Sequence, residues 1–138
     1  MAAILGETHP DIVAGIGVHS GLPAGAASDV VSAFAAMRGS AQGGVSASGP
    51  AIVFHGTADR TVAASNADAI VPGSGIEQTE SGNGRTWTRL VTTGGSELWR
   101  VEGGGHAWFG GDPAGSYADP AGPDASAEML RFFAQQMR

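Results

Sequence analysis

The apolar positions of this chain fall into short runs, each closed by glycine, proline and small polar residues. The clearest run, Ala-Ile-Val-Phe at 51–54, stops abruptly at His55-Gly56-Thr57-Ala58-Asp59. Such a run between turn signals predicts a short buried strand with a polar loop at its C-terminal end. Residues 11–18, DIVAGIGV, predict a second strand that ends in a loop over 19–23. Residues 86–93 and 97–101 flank Gly94-Gly95 and predict an antiparallel hairpin. Helix is predicted over 2–7, which has no N-cap and is stopped by His9-Pro10. A second helix spans 30–37, capped by Ser28 or Asp29, with Val30, Val31, Phe34 and Met37 on one face. A third covers 61–71 and is stopped by Pro72-Gly73. The fourth covers 124–137, capped by Asp124 or Ser126, with Met129, Leu130, Phe132, Phe133 and Met137 as its apolar face. Residues 40–49 read as a Gly/Ser linker, and 72–84 and 110–123 as loops. The order helix, strand, helix, strand, helix, hairpin, helix predicts a single α/β domain over 1–138, with a small, mostly parallel sheet flanked by helices.

Composition narrows the partners. Only 14% of residues are charged and 23 are glycine, which predicts a turn-rich chain with a small-residue interior. The net charge of −6 comes with no basic stripe, which argues against nucleic acid or an anionic membrane surface as the main partner. There is no cysteine, so disulfides and thiolate metal sites are excluded. No apolar run reaches the roughly 18 residues of a membrane span. The start of the chain shows no basic segment followed by a long apolar one, so no signal peptide is expected and the cytoplasm is the default location.

Chemistry in open α/β sheets sits at the C-terminal ends of the strands. Asp59 follows one predicted strand end, and His106 lies in GGGHAWFGG after another. A carboxylate that orients an imidazole makes two thirds of a Ser-His-Asp triad. Ser20 follows the strand at 11–18, so it stands on the same rim if the two strands are neighbours. A hydroxyl within reach of the imidazole can be activated as a nucleophile, with His19 as a second base or donor. Bland readings stand beside these. Asp59 can cap a helix near Thr61, His106 can be an idle turn histidine, and Ser20 can be an exposed loop serine without chemistry. Ser65 and Ser116 are weaker candidates. His55 reads as structural; with Asp59 it lacks a third ligand, so neither metal nor cofactor is expected. His9 reads as a helix-end residue, and Trp108 and Phe109 either wall an acyl pocket or pack a loop.

The stretches ILGETHPDIVAGIGVHSGLP, VFHGTADRTV, GGGHAWFGG and GSYADPAGPDASAEMLRFF together resemble the C-terminal half of the α/β-hydrolase esterases. The polyhydroxybutyrate depolymerase and feruloyl esterase-like group is the nearest in pattern. The resemblance implies a truncated α/β-hydrolase fold, with Asp59 as triad acid and His106 as triad histidine. It also implies a Gly-x-Ser-x-Gly nucleophile elbow just ahead of the first helix, and no such motif occurs in the 138 residues. The chain is thus expected to be either a fragment or a minimal protein that works differently. Two functions follow. One is a small esterase acting on short acyl esters, with Asp59 orienting His106 and Ser20 or water attacking. The other is a non-catalytic folded remnant that associates. The resemblance makes the strand at 11–18 interior in relatives, so here it would leave an open apolar edge. That edge predicts a homodimer or higher homo-oligomer, through residues 11–18 or the first helix.

Overall fold

The computed structural model of the protein describes residues 1–41 and 43–137; Gln42, inside the expected linker, lies outside the described residues. In chain order the elements are α1 (Ala2–Thr8), β1 (Ile16–His19), α2 (Val30–Met37), β2 (Ala51–Gly56), α3 (Ser65–Ile70), β3 (Gly75–Gly82), β4 (Arg85–Thr92), β5 (Glu97–Val101), β6 (Trp108–Phe109), β7 (Ala118–Asp119) and α4 (Ala125–Gln136). The main sheet has the order β1-β2-β5-β4-β3. β1 and β5 flank β2 in parallel, whereas β4 and β3 continue the sheet antiparallel. The class is α/β, and the sheet is mixed.

Every residue of β2 is buried, which is why its sequence is a continuous apolar run and does not alternate. Ala51 and Val53 join one core with Ile16, Val18, Ile70 and Leu98, against which Ala2 and Ala3 of α1 also pack. Ile52 and Phe54 join the opposite core with Trp99, Val101, Phe109, Met129 and Phe132. Helices therefore cover both faces of the parallel part of the sheet. α4 approaches β1 closely because Gly17 has no side chain: a Cβ there would stand 3.0 Å from Met129 Sδ and from the Phe133 ring.

Several expectations are corrected. The strand at 11–18 begins only at Ile16, because the N–H groups of Ile12 and Val13 donate to the His9 carbonyl in a turn. The loop at 72–84 contains β3, whose residues are almost all exposed and polar. Its strand conformation comes from pairing with β4 across Asn83-Gly84, both at positive φ as a two-residue hairpin requires. The helix at 61–71 shrinks to Ser65–Ile70, and His55 belongs to β2, not to the loop after it. The apolar face assigned to α2 is turned outward, with Val30, Val31 and Phe34 exposed. α2 docks through its end instead: Asn66 Nδ2 donates to the Ala36 carbonyl and the Ala63 N–H to the Met37 carbonyl. On α4, capped by Asp124, Leu130 and Met137 are exposed, and Ala125, Met129 and Phe132 are buried. The linker at 40–49 is pinned by a bridge between Ala24 and Val45 and by the Ala47 N–H on the Ile70 carbonyl. Among the described residues, no helix is long and apolar enough to cross a membrane.

One buried carboxylate ties the antiparallel part of the sheet to α4. Glu97 accepts from Arg89 Nη2 at 2.8 Å, Arg131 Nη2 at 2.7 Å and Trp99 Nε1 at 3.0 Å. Burial raises its pKa, but these donors outweigh that and hold the carboxyl below its ordinary range. Removing one partner from such a cluster strands the others. Glu97→Ala is therefore expected to lower the unfolding free energy by about 3 kcal/mol in urea denaturation. A midpoint unchanged from the parent would show the cluster to be dispensable.

Candidate functional site

Because β1, β2 and β5 run parallel, their C-terminal ends share one rim, and the loops that leave them converge. Ser20 follows β1, Asp59 lies in the loop after β2, and His106 lies in the loop after β5. The last two loops are stitched together. The Thr57 N–H donates to the Val101 carbonyl at 2.9 Å and the Ala58 N–H to the Gly104 carbonyl at 3.0 Å. This approach requires glycine at position 56, where a Cβ would overlap the Gly104 carbonyl.

Asp59 and His106 are in direct contact, with Nδ1 of the ring 2.8 Å from Asp59 Oδ2. The carboxylate can only accept, so the imidazole donates from Nδ1, and a neutral ring then carries its lone pair on Nε2. Asp59 Oδ1 accepts two further bonds of 2.8 Å, from the N–H groups of Thr61 and Val62. The carboxylate side chain has 0% exposure, whereas that of His106 is 33% exposed. Burial raises the Asp59 pKa, but the Val62 N–H, the His106 ring and the Thr61 N–H outweigh it and hold the group below its ordinary value. Asp59 thus shapes the backbone turn and orients His106 at once, and the helix expected to start under it begins only at Ser65. The same Oδ2 lies 3.4 Å from His55 Nε2, which donates to the Val62 carbonyl at 2.8 Å.

Ser20 is not the exposed loop serine of the sequence reading. It is 7% exposed, and its N–H donates to the Phe54 carbonyl, which extends the β1–β2 ladder by one bond. Its φ of +51° is the left-handed region, unusual for a residue other than glycine. Its Oγ lies 3.2 Å from His19 Nδ1. The same imidazole accepts the Phe109 N–H at Nε2, 3.2 Å away, so the neutral ring carries its proton on Nδ1 and donates to Ser20. His19 is therefore a donor to Ser20, and the role of second base is ruled out for that tautomer. The ring stacks on Trp108 at 4.7 Å and on Phe54 at 5.8 Å, and tilts against Phe109 at 4.9 Å. Desolvation, together with the nearby His55 and His106, lowers its pKa to about 4.

His19, Ser20, His106, Ala107, Trp108 and Tyr117 line a cavity of about 170 Å³. Trp108 thus walls the cavity, whereas Phe109 is fully buried in the core. Ser65 and Ser116 do not line it. Tyr117, absent from the sequence reading, is brought in by pairing of β6 with β7, where its carbonyl accepts the Trp108 N–H at 2.8 Å. His9 ends α1, as expected, with its Nδ1 2.7 Å from Thr8 Oγ1. A larger cavity of about 430 Å³ lies at the opposite end of the strands, under α1, and among the described residues Glu7 is its one titratable lining residue. Among the described residues, no group of three or more His, Cys, Asp and Glu side chains is placed to hold a metal ion.

The depressed His19 pKa has a signed consequence for stability. Between pH 6.5 and about 4 the unfolded chain takes up a proton that folded His19 refuses. Stability therefore falls as pH drops through that window, by up to about 3 kcal/mol. The contribution of Asp59 is present above its unfolded value of 3.8 and is lost only as pH falls further, through its lower folded value. Urea midpoints measured between pH 7 and 4 are expected to fall steeply for the parent and less steeply for His19→Asn. Parallel profiles would refute the assignment.

No protein-family model matches the chain, and neither does any curated protein, so the chemistry of the rim is argued from its own geometry.

Proposed function

We propose that the chain is a small carboxylesterase-like hydrolase of α/β-hydrolase type that acts on short acyl esters. The observation that carries this reading is the 2.8 Å contact of His106 with a solvent-shielded Asp59, on a ring that lines the same cavity as Ser20. Asp59 fixes the tautomer and orientation of His106 and stabilises the imidazolium that forms when Nε2 takes a proton. That proton comes from the attacking group, which is Ser20 or a water held in the cavity; the ring then returns it to the leaving alcohol. Ser20 Oγ is hydrogen-bonded to His19 and not to His106, and hydrogen bonds between catalytic groups often tighten only when substrate is bound. A cavity of only about 170 Å³ suits a short acyl chain. The residue pattern that resembles polyhydroxybutyrate depolymerases and feruloyl esterases supports the same chemistry.

His106→Ala is expected to reduce hydrolysis of p-nitrophenyl acetate by about 10² to 10⁴-fold, the usual contribution of a general base. An unchanged rate would remove the pair from the mechanism. Ser20→Ala separates the two nucleophiles, since it abolishes turnover through an acyl-serine and spares attack by water.

A second reading, a non-catalytic remnant that associates, is favoured by the surface. β1 stands at the edge of the sheet, and Met1, Ile4 and Leu5 of the neighbouring N-terminal segment are exposed, as are Val30, Val31 and Phe34. An open edge beside exposed apolar residues favours a second copy of the chain. Light scattering at micromolar concentration is expected to give at least a dimer under either reading, and a monomer would retire the association. A dimer that hydrolyses no short ester leaves the remnant as the function.

A further inference from the structure

Ser20 holds a backbone conformation that glycine would adopt at lower cost. Its φ of +51° places it in the left-handed region, where a β-carbon crowds the following carbonyl. The position follows β1 directly and is locked by the bond from its N–H to the Phe54 carbonyl. Strain of this kind persists where the surroundings enforce it, and it points from an observed outlier to a functional hypothesis. The hydroxyl is also held. The Nδ1–H of His19 occupies one lone pair of Oγ, and the His19 ring cannot rotate freely: its other nitrogen accepts the Phe109 N–H and its faces lie against Trp108 and Phe54. A serine hydroxyl has one O–H and two lone pairs. With one lone pair taken on the His19 side, the O–H and the second lone pair are directed elsewhere, and Ser20 borders the cavity that it shares with His106.

We propose that Ser20 is the nucleophile and that His19 is its positioning residue, which holds Oγ by donation from Nδ1 and leaves the hydroxyl proton to His106. The inference rests on the hydrolase reading above and selects Ser20 over water. In the step it describes, Oγ forms a bond to the ester carbonyl carbon as its proton passes to His106 Nε2. The carbon–oxygen bond to the alcohol then breaks, and the alcohol leaves with that proton. Water hydrolyses the acyl-serine by the same route in reverse. His19 loses no proton at any point. Its donated hydrogen bond is strongest when Oγ carries the most negative charge, during attack.

The test uses substitutions that separate the two nitrogens of His19. In His19→Asn the amide N–H₂ takes the place of Nδ1 and restores a donor to Ser20. In His19→Gln the amide oxygen takes the place of Nε2, keeps the Phe109 N–H satisfied and removes the donor to Ser20. Each is assayed with p-nitrophenyl acetate and with a fluorophosphonate probe whose site of attachment is read by mass spectrometry. The parent is expected to carry the probe on Ser20. His19→Gln is expected to lose at least about tenfold in kcat and in labelling rate, with KM little changed, and His19→Asn to recover most of that loss. Ser20→Gly is expected to lose turnover and labelling while unfolding at a temperature no lower than the parent, because it relieves the left-handed serine. If Ser20→Gly turns over at the parent rate while His106→Ala does not, water is the nucleophile: this inference falls and the hydrolase reading stands. Equal losses in both His19 variants, or a His19 proton found on Nε2 by ¹H–¹⁵N correlation spectroscopy, would also overturn it. A parent that neither hydrolyses the ester nor takes the probe removes both.

Discussion

Asp59 is the point on which the rim depends. A single carboxylate, shielded from solvent, accepts from two backbone N–H groups through one oxygen and from His106 through the other. Burial pushes its pKa up, and the donors around it outweigh that and hold it below its ordinary value. The arrangement is possible because Gly56 lets the loops after β2 and β5 touch backbone to backbone, and Gly104 leaves room for the Phe109 ring. A Cβ at position 56 would force the two loops apart, and one at position 104 would drive into the Phe109 ring, so the rim is set by two residues with no side chain.

A second set of contacts, independent of the first, fixes the other side of the cavity. His19 is the last residue of β1, and it reaches across to the backbone of Phe109 while its face meets Trp108. That single ring joins the first parallel strand to the loop that follows the last one. Because it accepts with one nitrogen and donates with the other, its protonation state is written into the fold. A second proton would put a donor opposite the Phe109 N–H, which accounts for the same resistance to charge that burial produces.

The parts of this structure legible in the sequence are those set by local rules. The run at 51–54 reads as a buried strand because both faces of β2 are covered, and the hairpin around Gly94-Gly95 forms as its turn chemistry requires. The contact of Asp59 with His106 follows from two strand ends in parallel register. The parts that failed depend on partners distant in sequence. β3 has no apolar alternation because neither face packs, yet Asn83-Gly84 was a hairpin signal in plain view. The apolar stripe on α2 suggested a buried face, but the helix is anchored by Asn66, thirty-odd positions away, through bonds that no periodicity encodes. Ser20 reads as a loop serine because nothing local announces a left-handed φ, and the donor role of His19 is decided by the N–H of Phe109, ninety residues downstream.

The two margins of the sheet are unlike. β1 offers four residues, Ile16–His19, with no charged side chain, its one imidazole being neutral, whereas β3 presents Glu77 and Glu80 along an exposed margin. Stacking of copies into an open-ended ribbon needs the β1 margin of one molecule to accept the β3 margin of the next, and the acidic margin discourages that. A contact in which β1 met β1 would occupy the same margin of both molecules at once and go no further. In the association proposed above, the asymmetry would act as a chain terminator, since it would leave growth beyond a pair without a second unblunted edge.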